Sequence, residues 1–319
     1  MNHLEIQRNP CIDKACSNSL SFAKFLRNFM KFRLLLPILA TFLTNFPAQA
    51  LILYGEDNSA NQTDPGTGLP FDSVAKISDG LGGNVSGTGI YLGNGYMLTA
   101  NHVNNRSHVT FDGSTFHEWD SAFTPVQIGS TDMKIFKLSS DPGVSGVLLY
   151  GGNNELSQPG NIVGWGVGRN PSVPVETNSV AWGDSTTEAK RWDENTVEGF
   201  STASDSTYTY TAFNTVAGSP FASPAGLGAN EAAVTLNDSG SGFFQKIGGV
   251  WYLTGLTTSV ETLNTTNFGA DQNLSGGSEN YFVRISAYQT QIALLVPEPG
   301  SALLTAITAI GLISRRRRL

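Results

Sequence analysis

Short alternating runs of apolar and polar residues fill the middle of the chain, each broken by a cluster of Gly, Asn or Asp. After a start at Val74 come Ser86–Leu92, Tyr96–Ala100, His108–Phe111, Met133–Leu138, Gly146–Tyr150 and Asn161–Gly164. A second set follows Val175: Ser206–Phe213, Ala232–Leu236, Gly242–Ile247, Val250–Thr257 and Tyr281–Ile285. A period of two marks half-buried strands, and no stretch of this body keeps a helical period for long. Two groups of about six strands with no helix between them predict an all-β fold of two antiparallel barrels. The barrels are expected over about residues 74–170 and 175–285. Residues 51–73 read as a polar, Gly-rich leader, and 214–230 and 262–279 as surface loops.

Both ends carry a different pattern. Met30-Lys31-Phe32-Arg33, the apolar run Leu34–Phe46 and Ala48-Gln49-Ala50 follow the order of a signal peptide: positive start, apolar stretch, small-residue cleavage site. Residues 1–50 are therefore expected to address the chain to the Sec export machinery, with Met30 as a possible true start. At the far end, Val296-Pro297-Glu298-Pro299 precedes the apolar run Ala302–Ile313 and then Arg315–Arg318. That run is short for a permanent span of a ~30 Å hydrocarbon core, and the Arg cluster would stay cytoplasmic. Residues 296–319 resemble the PEP-CTERM sorting signal of Gram-negative bacteria. The resemblance implies an exosortase as partner and delivery to the cell surface, outer membrane or extracellular matrix. Contact with a membrane is then expected only through this segment.

Charge and cysteine usage narrow the chemistry. Outside the two ends the body holds nine Lys and Arg against 23 Asp and Glu. So acidic a body repels phosphate backbones, which argues against a nucleic-acid partner. Both cysteines, Cys11 and Cys16, precede the export signal, so the body offers no thiol nucleophile, no Cys-ligated metal and no disulfide.

Three histidines remain in the body: His102, His108 and His117. His102 ends a strand of shrinking residues, Thr99-Ala100-Asn101, whereas His108 opens an alternating run and His117 sits in a polar-aromatic patch. A lone histidine is usually structural, and His102 gains meaning from its company. Asn237-Asp238-Ser239-Gly240-Ser241-Gly242 sets a serine on a tight turn with small neighbours. There the N–H groups of Asn237 and Ser239 can converge on a developing oxyanion. Asp132 opens the alternating strand Met133–Leu138, at the mouth of a buried element where it can orient an imidazole. Asp112 and Asp120 are nearer to His102 in sequence but lie in polar turns.

These segments resemble the trypsin/chymotrypsin family. Thr99-Ala100-Asn101-His102 is similar to its T-A-x-H motif, Asp132-Met133-Lys134-Ile135 to D-I-A-L, and Asp238-Ser239-Gly240 to the centre of G-D-S-G-G-P. The order His, Asp, Ser also matches. Val163-Gly164-Trp165-Gly166, Leu253-Thr254-Gly255-Leu256 and Tyr281-Phe282-Val283-Arg284-Ile285 fall in order as further landmarks, so the resemblance spans residues 74–295. It implies two six-stranded barrels, a C-terminal helix over Ser286–Leu295, and His102, Asp132 and Ser239 as a catalytic triad. It also implies an oxyanion hole of Asn237 and Ser239, with no metal or cofactor, acting on a protein or peptide. Ala233, Thr258 and Asn280 would then border the substrate pocket. With no acid at Ala233, and Asn280 where the family keeps a pocket-wall Gly, small or medium apolar side chains are expected before the cut.

Two departures stand out. Asn237 replaces the family's first Gly, at a position that needs φ > 0, which Asn tolerates best among other residues. No I-V-G-G start occurs near Val74, so activation by a freed N-terminus reaching Asp238 is unsupported, which leaves direct folding into an active form or an internal partner for Asp238. Two functions remain open on this reading: an exported serine endopeptidase, or a protease-like surface binding or matrix protein with weak or no turnover.

Overall fold

Val74 and the alternating residues after it build the first of two barrels in the computed structural model, which describes residues 51–53, 57–172, 180–204, 206–217, 230–260, 267–268 and 278–297. The expected signal peptide, and the expected sorting signal beyond Pro297, lie outside these residues. Among the described residues no helix is long and apolar enough to cross a membrane.

Strands β1 (Val74–Ser78), β2 (Val85–Gly93), β3 (Tyr96–Thr99), β4 (His108–Thr110), β5 (Phe116–Glu118) and β6 (Lys134–Lys137) are all antiparallel to their neighbours. The sheet runs β5-β4-β1-β2-β3-β6, with the two-residue strand Val126–Gln127 paired beyond β6, and an antiparallel bridge between Trp119 and Leu138 links β5 to β6. Closure removes the free edges a sheet would otherwise expose. The inward face of the alternation supplies the core: Ala75, Ile77, Tyr91, Met97, Val109, Phe111, Phe136 and Leu138 are buried together.

The second barrel uses β7 (Pro159–Gly164), β8 (Asn195–Thr196), β9 (Gly199–Ser204), β10 (Thr209–Ala217), β11 (Gly242–Ile247), β12 (Val250–Val260) and β13 (Ser278–Arg284). Its sheet runs β7-β11-β12-β13-β10-β9; the two-residue strand Arg191–Trp192 pairs with β7 at that end, and β8, directly before β9, also pairs back to β7. Counting β8 and β9 as one strand, the cyclic order is first, second, third, sixth, fifth, fourth. The first barrel has the same order, so one Greek-key winding occurs twice. Phe213, Phe243 and Phe282 fill this barrel, with ring centroids 5.0–5.3 Å apart. A third apolar cluster, including Val74, Leu98, Ile135, Trp165, Leu253 and Ile285, lies between the barrels.

The expected fold class is the observed one: all-β, with two chymotrypsin-like antiparallel barrels and the short helix α1 (Gln289–Leu295). Details differ from the sequence reading. Gly146–Tyr150 forms no strand; only Leu149 bridges, in parallel, to Leu253. Ala232–Leu236 shrinks to a two-residue strand, Ala232–Ala233. Phe116–Glu118 and Asn195–Ser204, too polar to stand out as alternating runs, are barrel strands.

The largest correction concerns residues 51–73, expected as a leader ahead of the domain. Leu51, Ile52 and Leu53 are only 1–2% exposed. Ile52 and Leu53 pair with Ala233 and Ala232, and Leu51 and Leu53 join the core of the second barrel. Burying three large aliphatic side chains outweighs the polar composition that follows them.

Candidate active site

Strand β3 delivers the chain to Ala100, which is fully buried, and a turn then lifts His102 to the surface. Asp132, just before β6, lies at the same end of the sheet and stays 3% exposed. One carboxylate oxygen, Oδ1, accepts the backbone N–H of His102 at 2.9 Å; the other, Oδ2, lies 2.6 Å from His102 Nδ1. Holding both main chain and ring leaves the imidazole little freedom to turn. Beyond it, His102 Nε2 lies 2.8 Å from Ser239 Oγ. With Nδ1–H donated to the carboxylate, Nε2 is the nitrogen free to accept the serine proton.

Lys134 braces this loop from within. Its ammonium donates to the carbonyls of Asn101 and Val103 and to Asn105 Oδ1. Burial holds its pKa below the usual lysine value, with Asp132 acting in the opposite direction.

Ser239 belongs to the second barrel but is stitched to the first. The N–H of Thr88, in β2, donates to the Ser239 carbonyl at 2.9 Å, and Thr88 Oγ1 donates to the Asn237 carbonyl at 3.1 Å. A Cβ on Gly87 would come within 2.8 Å of that Ser239 carbonyl, and one on Gly240 (φ +88°) within 2.1 Å of the Thr88 carbonyl. The close approach of the two backbones therefore requires glycine at both places.

The turn itself is polarised. The Leu236 carbonyl accepts from Val167 N–H at 2.9 Å, and the Asp238 carbonyl from Ser241 N–H at 2.8 Å. A trans peptide points its N–H away from its C=O, so the N–H groups of Asn237 and Ser239 face the other way. Among the described residues neither meets a protein acceptor. Asn237 takes φ = 72°, the left-handed conformation expected of it. Its side-chain Nδ2 donates to Glu188 Oε1 at 2.6 Å.

Behind the turn, Asp238 is fully buried, with Gly166 N–H at 2.8 Å on one oxygen and Thr235 N–H (2.8 Å) and Oγ1 (2.9 Å) on the other. Desolvation raises its pKa to about 6, against these hydrogen bonds and the charge of Arg191. Asp238 thus finds its partners inside the fold. Arg191 is itself fully buried and donates to the carbonyls of Leu51 and Asn58.

The three expected pocket residues are buried and committed to the protein. Ala233 is 3% exposed and pairs with Ile52. Asn280 is fully buried, accepting from Val234 N–H and donating to Thr215 Oγ1, both at 3.1 Å. Thr258 Oγ1 meets the Tyr210 hydroxyl at 2.9 Å. None of the three brings a charge. Leu236, beside the turn, is by contrast 56% exposed.

No protein-family model matches the chain, and no curated protein does. Its structure is similar to neuropsin, a serine protease of mouse brain, at 15% identity over 74% of this chain and 97% of that one, with a TM-score of 0.49. It is also similar to the inactive form of Rv3671c from M. tuberculosis H37Rv, at 12% identity over 74% and 94% of the two chains and a TM-score of 0.47. The NS6 protease of murine norovirus 1 follows at 13% identity over 70% and 94%, with a TM-score of 0.40.

Sequence reasoning reached His102, Asp132, Ser239 and Asn237 but passed over Lys134, Glu188 and Arg191. Lys134 sat in a run read for its apolar face. Glu188-Ala189-Lys190-Arg191 has the composition of an exposed turn, yet all four residues are at most 8% exposed. Their one signal was density: four charges between Glu188 and Asp193 in a chain only 14% charged.

Proposed function

We propose that this chain is a serine endopeptidase that hydrolyses peptide bonds by acyl transfer to water. The observation that carries the reading is the continuous line from Asp132 Oδ2 to His102 Nδ1 at 2.6 Å and from His102 Nε2 to Ser239 Oγ at 2.8 Å. Both distances lie within the reach a nucleophile and its base require. In the proposed reaction Ser239 Oγ attacks the scissile carbonyl carbon while its proton passes to His102 Nε2. The N–H groups of Asn237 and Ser239 hold the oxyanion, and Asp132 stabilises the imidazolium. Collapse of the tetrahedral species breaks the C–N bond, and His102 returns the proton to the leaving amine. Water, deprotonated by His102, then cleaves the acyl-enzyme and restores the serine. Every bond and proton balances without a metal or organic cofactor.

The substrate is a protein or peptide. If Ala233 and Asn280 lie at the base of the substrate pocket, their lack of charge disfavours a basic side chain, and the exposed Leu236 favours an apolar one. The signal-peptide and PEP-CTERM patterns in the sequence support export and surface delivery. Mass spectrometry of the cell-surface fraction should find a chain that starts at Leu51 and lacks the Arg cluster; an unprocessed cytoplasmic chain would refute this address.

A fluorophosphonate tests the chemistry, since it modifies only an activated serine. The parent should label and Ser239→Ala should not. A folded parent that resists the probe would leave a protease-like binding protein in place of the enzyme.

A further inference from the structure

The serine turn contains a side-chain contact that the triad does not use. Asn237 stands at φ = 72°, a region that a non-Gly residue occupies only when its surroundings hold it there. Three restraints surround it: Val167 N–H on the preceding carbonyl, Thr88 Oγ1 on its own carbonyl, and Glu188 Oε1 on its side chain. The first two are backbone restraints, indifferent to the residue at 237. Only the third requires an amide side chain there and an acceptor opposite.

Glu188 is suited to that task. It is 5% exposed and follows a short 3-10 turn, Ser185–Thr187, that is anchored by Asp184 and by the Thr187 carbonyl accepting from Gly168 N–H. A buried carboxylate costs free energy unless it is hydrogen-bonded. Burial raises the pKa of Glu188, while the Asn237 amide and the Lys76 charge act against that rise. A carboxylate placed inside with one short contact needs a reason, and the residue it contacts carries one of the two N–H groups of the proposed oxyanion hole.

We infer that Glu188 is a positioning residue for the oxyanion turn: by accepting from Asn237 Nδ2 it locks Asn237 in the left-handed conformation that aims its backbone N–H at the developing oxyanion. The inference rests on the proposed acyl transfer and names the device that lets this chain dispense with glycine at the turn. Glycine needs no lock there, because it occupies φ > 0 without steric cost. Asparagine and glutamate thus form a unit, each of little use to the turn without the other.

The test is a cycle of variants read by the second-order rate of fluorophosphonate labelling, with Tm measured alongside. Glu188→Ala should slow labelling about 10- to 100-fold, the scale set by loosening one sparsely populated backbone conformation. Glu188→Gln keeps a carbonyl acceptor and should recover most of the rate. Asn237→Gly removes the side chain that Glu188 holds, and its own labelling rate is the reference for the second half of the cycle. In that background Glu188→Ala should cost no further rate, even where it lowers Tm. Labelling of Glu188→Ala at the parental rate would overturn the inference and leave the protease reading intact. So would an equal slowing of Glu188→Ala with Asn237 or Gly at 237, which would make Glu188 merely structural. A folded parent that never labels would remove both.

Discussion

The two barrels share one winding but hold their halves of the site by different means. The first presents His102 and Asp132 on loops fastened to an apolar interior, with Lys134 as the single buried cation braced against them. The second presents Ser239 on a turn backed by buried charge: Asp238, Arg191, Asp193 and, at its side, Glu188. Orienting one ring asks for rigidity, which close packing supplies. Aiming two peptide N–H groups asks for fixed partners on every neighbouring carbonyl and carboxylate, which packing alone does not supply. Identical topology therefore leaves open how each loop is held, and the chemistry of each loop decides it.

Breaking the first barrel's contribution should have the largest effect. Asp132→Asn leaves the ring in place but favours the wrong tautomer, and in sites of this type that change costs ~10⁴ in kcat. Peptidase or ester turnover of the folded variant measures it, and a loss below tenfold would separate Asp132 from the base.

The second barrel should respond first through stability. Leu53→Ala truncates a residue 2% exposed in that core and should cost about 2–5 kcal/mol in denaturant unfolding. A cost under about 0.5 kcal/mol, the range of surface changes, would return residues 51–53 to the role of a leader.

The smallest effect should be one of pH, read at Asp238 in the second barrel. The pKa of Asp238 is raised to about 6 in the fold, so between about pH 4 and 6 the folded chain keeps a proton the unfolded chain has released. Its contribution to stability is complete below that window and is lost as pH rises through it. Asp238→Asn should be less stable throughout, because the amide cannot accept every hydrogen bond the carboxylate does, but its stability should decline less between pH 4 and 6. Asp193, also raised by burial, remains in the variant and preserves part of the slope. Parallel curves for parent and variant would show that Asp238 does not titrate in this range.

What could be read from the chain divides along the same line. Five of the first barrel's six labelled strands and the ordered positions of His102, Asp132 and Ser239 follow from alternation and chain order, which report packing directly. Glu188, Lys190 and Arg191 escaped because charged side chains almost always face water, and their burial depends on partners brought from far along the sequence. Arg191 meets Leu51, 140 residues away, and Asn237 meets Glu188, 49 residues away. Leu51–Leu53 escaped for the same reason: three residues hold too little pattern to declare a strand, and their partner strand is two residues long.

The contact between His102 and Ser239 spans 137 residues. Contacts of such separation form late, after the loop entropy between them has been met by local pairing. Until both barrels have closed and docked through Thr88, the chain carries an ordinary imidazole and an ordinary alcohol. On the proposed function, reactivity is then the final event of folding, and a nascent or half-folded copy would not cleave the proteins around it.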